Sequence, residues 1–481
     1  PGHTYAVLIH SRVKSNLGES IGKDDDFSAM LNSLAPTDSE LATAWDSFAP
    51  LRDWVDTAPL FPSGDTVSAD SIAGGTVFTV KNPTDYAEKI AEDIEADDAI
   101  QISDFAECSS AAEDCVSGEL GFKEFHGTWK LPNYQGGIAP FSETGGGVEL
   151  SENQSPSKMG THSFRFALTL PDGEAPAGGW PVIVVTYSAG GSFRHIIESG
   201  LAEKFSSIRD GTTQAVEAAA LLSFTQVASG ERLGDTQEDP MLLWANLGNP
   251  NAYLGNGVQA IGDAIAVTKN LVLVHDALIA AGQETLNLEK IAVLGEGSGA
   301  SAALAAASFV PEVDVLLLSG VAGDTSKVWL ERQAPLSFER AVQLLTGDRR
   351  FRSILNHPFL EMVERHLAPI DPNNFALPYS PHLLDKHVLM VLGEDDPIYP
   401  VHAGVNLGIR LFSGIVNEAE VENLPNSATI LELPARGNFN DTTRGTLVLE
   451  SLLESEEVHS SLAQFVGTWL QDAEGIPTFE R

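Results

Sequence analysis

The chemical question sits in five residues, Gly295-Glu296-Gly297-Ser298-Gly299. They close an apolar run, IAVLG, and open a helix of small residues. A strand, a sharp glycine turn and a small-residue helix form the setting in which serine hydrolases hold their nucleophile above a sheet. The bend needs small residues two before and two after the nucleophile, because strand and helix approach closely there. Gly295 and Gly299 have that spacing, and the residue midway between them is Gly297, which has no side chain to attack with. Ser298 is one position off, and Glu296 two residues before it conflicts with the turn. Ser298 is therefore the substitute nucleophile to weigh.

Acyl transfer needs further stations, with the nucleophile, acid and histidine following in that order along such a chain. After the run HVLMVLG at 387–393 comes Glu394-Asp395-Asp396-Pro397. A carboxylate just past a strand can orient a histidine; Asp396 has the better spacing and Asp395 is the reserve, with a solvated acidic turn as the plain alternative. The base is expected after ATILEL at 428–433, where the chain reads Pro434-Ala435-Arg436-Gly437-Asn438-Phe439-Asn440. Asn438 holds the histidine position, and an amide cannot shuttle a proton near neutrality. The histidines beyond Asp396 are His402, too early, and His459, at the start of the last helix. His402 or His195 would have to substitute. The oxyanion loop follows PVIVVTY at 181–187 and reads Ser188-Ala189-Gly190-Gly191; Gly190 and Gly191 are expected to offer backbone N–H groups.

The elements that must position these residues are legible as a rhythm. Apolar runs at 164–170, 181–187, 221–227, 291–295, 313–319, 387–393 and 428–433 read as strands. Near-continuous apolar strands are buried on both faces. Helical segments alternate with them at 256–280, 301–309 and 459–471, so the second part of the chain is a mostly parallel, doubly wound α/β sheet. Before it, strand-like segments at 4–9 and 75–80 and helices from Asp38 and over 85–96 suggest a small α+β unit. The division expected is 1–100 for that unit and 101–481 for the sheet domain, with a loop-rich lead-in at 101–163.

Composition narrows the function classes. The 481 residues carry 28 Lys+Arg against 67 Asp+Glu, a net charge of −39. Such a surface repels phosphate backbones and anionic lipid, which argues against nucleic-acid partners. Apolar stretches are shorter than a bilayer span, so no transmembrane segment is expected. No phosphate-binding or dinucleotide motif occurs in strand-to-helix context, so no cofactor is expected. Asp24-Asp25-Asp26 lacks ordered ligand spacing, so no metal is expected either. Cys108 and Cys115 are the only cysteines and read as one small disulfide loop of an exported protein, with two free thiols as the alternative. The opening Pro1-Gly2-His3 suggests a processed or trimmed product.

From about residue 116 to the end, the chain resembles the bacterial virulence-factor lipase family of secreted or outer-membrane-displayed α/β hydrolases. LPNYQGGIAPF, FRFALTLPDG, GGSFRHI, WANLGNPNAYLGNGVQAIGD, HVLMVLGEDDPIYP and GTWLQDAEGIPTF carry the likeness. The opening PGHTYAVLIHSRVKS resembles the last strands of an Ig-like module. The resemblance implies an α/β-hydrolase fold, and the departures from the family pattern imply a degenerate triad. Tyr187-Ser188 stands for His-Gly, Gly297 for the serine and Gly437-Asn438-Phe439 for Gly-His-Phe. The expected function is a catalytically inactive pseudo-lipase or pseudo-esterase, secreted or at the cell surface. It would hold a lipid or ester-like ligand in the residual cleft or serve in an extracellular assembly with protein partners. The alternative is an active carboxylesterase or lipase using Ser298.

Overall fold

The computed structural model describes residues 2–55, 67–108, 115, 121–151, 155–209, 216–347, 358–376, 383, 386–393, 396–412, 429–433 and 456–471. The chain divides into two compact units, Pro1–Pro83 and Thr84–Arg481.

In the first unit, β1 (Thr4–His10) pairs antiparallel with β2 (Ile72–Thr79). Asp24 caps the helix Asp25–Leu31 by accepting from the Asp26 N–H, and Asp38 caps Ser39–Ser47 through the N–H groups of Glu40 and Leu41. Asp24 thus works as a helix cap. Pro50 ends the run expected from Asp38 and starts a new helix, Ala49–Trp54, where its missing N–H costs nothing. Leu51, Val55, Val67 and Ile72 form the core.

The expected boundary near residue 100 falls at 83 instead. The amphipathic helix Asp85–Glu95 buries Ala87, Ile90, Ala91 and Ile94 in the core of the second unit. The lead-in is also more ordered than expected. It contains β3 (Gln101–Glu107), β4 (Phe122–Asn133) and the start of β5 (Gly160–Pro171), joined as an antiparallel meander. Gly127 and Pro132 disguise β4 as loop; Gly127 is there because a Cβ would lie 2.4 Å from the Phe166 ring. Cys108 and Cys115 are joined in a disulfide, with Cα atoms 5.8 Å apart.

The remaining strands are β6 (Trp180–Thr186), a two-residue hairpin of β7 (Ile208–Arg209) and β8 (Val216–Glu217), then β9 (Ala220–Phe224), β10 (Leu286–Glu296), β11 (Val313–Ser319), β12 (His387–Gly393) and β13 (Thr429–Leu433). The described central sheet runs β3-β4-β5-β9-β6-β10-β11-β12-β13. It is antiparallel as far as the β5–β9 pair and parallel from β9 onward. The apolar runs follow from two-sided burial. Val182 and Val184 join the core under the helices Pro250–Lys269 and Ser298–Phe309, while Ile183 and Val185 join the core under Leu462, Phe465, Val466 and Trp469 of Glu456–Gln471. With the glycine turn after β10, this arrangement is the α/β-hydrolase fold. Among the described residues no single helix is long and apolar enough to cross a membrane.

Candidate active site

The strand order reverses at β6, between β9 and β10, and the crevice outside the carboxyl ends of parallel strands is where such sheets bind ligands. At that edge β10 ends in Glu296 and the chain bends at Gly297, with φ +54° and ψ −119°. An L side chain rarely adopts this conformation, and holding one there costs about 1–3 kcal/mol. The Gly297 N–H donates to Ser319 O at 2.9 Å, and its carbonyl accepts from the Ala300 N–H at 3.1 Å, opening the helix Ser298–Phe309.

The flanking glycines are imposed by packing. A Cβ on Gly295 would lie 2.5 Å from Ala300 Cα, and one on Gly299 would lie 2.5 Å from Tyr187 N. Strand and helix approach so closely that only glycine fits on either side of the bend.

Ser298 is buried, and its Oγ accepts from the Ala189 N–H at 3.4 Å. Ser188 Oγ donates to the Glu296 carbonyl at 3.3 Å. The expectation that Gly190 offers an N–H to a ligand is corrected here: that N–H already donates to Ala228 O at 3.0 Å and to Ser229 Oγ at 2.9 Å. Gly191 lies under the Tyr187 ring, where a Cβ would come within 2.5 Å. The loop is tied to its own scaffold, so its capacity to receive an oxyanion is reduced.

Asp396 follows β12, which pairs with β11, the strand whose Ser319 carbonyl receives Gly297. The aspartate and the bend therefore share one sheet edge, and the charge of Glu296 acts on Asp396. Asp396 Oδ1 accepts from the Ile398 and Tyr399 N–H groups at 2.8 and 2.9 Å. Oδ2 is buried, and among the described residues it has no hydrogen-bond partner. Burial pushes the Asp396 carboxyl up to about 6, against the opposing pull of the two backbone N–H groups and of Arg332. β13 runs parallel to β12, with Leu433 level with Gly393. Asn438, like Asp395, lies outside the described residues.

The substitute bases do not assemble a triad. His402 is exposed on the helix Val401–Phe412. The His195 ring stacks on Tyr187 with centroids 4.7 Å apart, and its Nε2 lies 3.3 Å from Glu296 Oε2 in poor hydrogen-bond geometry. The side chain of His459 is outside the described residues.

Several residues at this edge carry no sequence signal. Arg332 is 2% exposed; its Nε donates to Ala334 O at 2.8 Å, and its Nη2 is buried without a partner among the described residues. It lines a cavity of about 50 Å³ together with Ser298, Ser301, Tyr399, Trp244 and Asp371. A second cavity, of about 260 Å³, is lined by His162, Arg232 and Glu231. Beside it, buried Asp263 receives Arg232 at 2.7 Å, His162 at 3.1 Å and Gln259 at 2.8 Å. Burial alone would raise the Asp263 carboxyl, but Arg232 and His162 hold it below the ordinary range.

No protein-family model and no curated protein matches the chain. Among solved structures, it is similar to an acetyl xylan esterase from Paenibacillus sp. R4, at 16% identity over 77% of this chain and 95% of that one, with a TM-score of 0.43. Acetyl xylan esterase 1 from Thermoanaerobacterium sp. JW/SL YS485 is similar at 12% identity over 78% and 94%, with a TM-score of 0.42. The rice cell wall degrading esterase LipA from Xanthomonas oryzae is similar at 10% identity over 74% and 96%, also with a TM-score of 0.42.

Proposed function

We propose that the chain is a catalytically silent α/β-hydrolase-fold protein, a pseudo-lipase or pseudo-esterase of the virulence-factor lipase type. It works by binding or as a structural part, secreted or at a cell surface. The observation that carries this reading is the bend at φ +54°: the strained position that would present a nucleophile is Gly297, bracketed by two glycines that packing requires. Supporting it, Asp396 keeps an Oδ2 without a partner among the described residues and a carboxyl raised to about 6, whereas an acid that orients a histidine is ionised and hydrogen-bonded to it. Asn438 completes the loss, since it offers no proton-transfer group. A lipid or ester-like ligand would be its partner at the residual cleft, and an extracellular assembly would supply protein partners.

The competing reading is an active carboxylesterase with Ser298 as nucleophile, and one observation favours it: Ser298 lines the 50 Å³ cavity. Its Oγ, however, is engaged by the Ala189 N–H, and among the described residues no histidine bonds to it.

Turnover of p-nitrophenyl acetate and p-nitrophenyl laurate by the purified chain decides between the two. The silent reading expects rates equal to buffer for both esters. Turnover that disappears in Ser298→Ala would establish the carboxylesterase instead.

A further inference from the structure

The cavity of about 260 Å³ shares no lining residue with the smaller one, and its polar groups have no part in the hydrolase site. Beside it, Asp263 is spent on Arg232, His162 and Gln259, and that pairing fixes two side chains of the cavity wall. Arg232 gives its Nη1 to Asp263 and to Thr225 O, and its guanidinium lies 4.8 Å from the Phe164 ring centroid. Its Nε and Nη2 have no partner among the described residues and, unlike the Nη2 of Arg332, are not sealed off; the side chain is 11% exposed. His162 points Nε2 at Asp263, a carboxylate that can only accept, so Nε2 carries the proton and Nδ1 is a bare acceptor. Nδ1 has no partner among the described residues either, and the side chain is 21% exposed. Burial lowers the His162 pKa, which keeps the ring neutral near pH 7. Gln135 spends its Nε2 on Gly146 O and Asn256 Oδ1, which leaves Oε1 as a second open acceptor. The opposite wall is held as firmly. Asn246 and Asn249 donate to the Phe141 carbonyl at 3.2 and 3.1 Å. Phe141 and Ala228, both on the wall, hold φ +60° and +54°, and strain of this kind gathers at ligand sites.

We propose that this cavity binds a neutral sugar, one pyranose ring with free hydroxyls. The wall offers open donors from Arg232 beside open acceptors from His162 and Gln135, with the exposed carboxylate of Glu231 at the same cavity. A hydroxyl both donates and accepts, so a ring that carries several can answer all of them. Phe141, Pro140 and Leu233 add apolar surface for the carbon face of the ring. An acyl chain would cover the Arg232 and His162 nitrogens and leave them unpaired. An anion would meet Glu231 and the charge of Asp263, and a cation would meet Arg232. The volume, about nine waters at about 30 Å³ each, admits one such ring. This is a site apart from the bend at Gly297, and it adds a ligand class to the lipid or ester put forward above.

The test titrates the intact chain with methyl β-glucoside, methyl β-galactoside and methyl β-xyloside, read by calorimetry and by saturation-transfer NMR. The expected result is saturable binding of at least one glycoside by the wild type, weakened at least tenfold in His162→Phe, which keeps a ring and removes the acceptor. Leu233→Trp, which fills the cavity and leaves the polar groups in place, should abolish binding and keeps the test decisive should His162→Phe fail to fold. Absence of saturable binding of all three glycosides to the wild type would overturn the assignment. So would affinity unchanged in Leu233→Trp, cyclohexanol binding as tightly as the glycosides, or phosphate displacing them. Ester turnover does not enter this experiment: an active enzyme would defeat the silent reading and leave the sugar site standing, and an empty titration would do the reverse.

Discussion

At the scale of single residues, the site is defined by what Gly297 lacks and by the state of Asp396. Gly297→Ser would put a hydroxyl at the bend but force an L residue to φ +54°. Denaturant titration should find it folded and less stable by about 1–3 kcal/mol. Combined with Asn438→His, it is expected to gain measurable turnover of p-nitrophenyl acetate, and a silent double variant would mean that the self-bonded loop at Gly190 also blocks the chemistry. For Asp396 the folded pKa, about 6, lies above the ordinary 3.8, so the folded state binds the proton more tightly than the unfolded chain. The stability this contributes is fully present below about pH 4 and is lost as pH rises through about 6. Asp396→Asn should remove that dependence, and at pH 7.5 it should be about 1–3 kcal/mol more stable than the wild type, read as a difference in unfolding midpoint that vanishes near pH 4. Gly297, Ser298 and Asp396 were legible because each stands at a fixed offset from an apolar run. Arg332 and the contact of His195 with Glu296 were not, because each joins positions far apart in the chain.

The element that matters is the strand-turn-helix from β10 into Ser298–Phe309. Its two outer glycines face backbone, which cannot yield, whereas a flexible side chain could move aside. Gly299→Ala, against Tyr187 N and Thr186 C, should therefore cost more than Gly297→Ala, which is strained in φ alone. We expect a loss on the order of 3 kcal/mol for Gly299→Ala and about 1–2 kcal/mol for Gly297→Ala, compared by urea unfolding. Equal losses would mean that strand and helix do not press together as described. The strands β6 and β9 to β12 announced themselves in the sequence because alternate residues feed two cores, which leaves no polar period. β3 and β4 stayed hidden. They lie at the antiparallel end of the sheet, partly exposed, and their polar residues, glycine and proline read as loop. The boundary at 83 was missed for a related reason: the burial of Ile90 and Ile94 shows only where the helix packs.

At the scale of the whole molecule, the charge of −39 is spread over a fold whose described ion pairs are few. Self-repulsion should then weaken the compact state at low salt. Raising sodium chloride from about 10 mM to about 500 mM shortens the screening range from about 30 Å to a few Å, so the thermal midpoint should rise. A midpoint that falls would mean that local pairs such as Arg232–Asp263 outweigh the global field. Asp263→Asn tests that pair directly: it strands buried Arg232 and should cost about 3–5 kcal/mol near neutral pH. The same cold surface would surround a cleft that binds without reacting. The measurement that bears most directly on this account is the intact mass of the wild-type chain after prolonged exposure to a fluorophosphonate ester. The account predicts an unchanged mass, because the bend presents no reactive atom. A stoichiometric adduct mapped to Ser298 would contradict it.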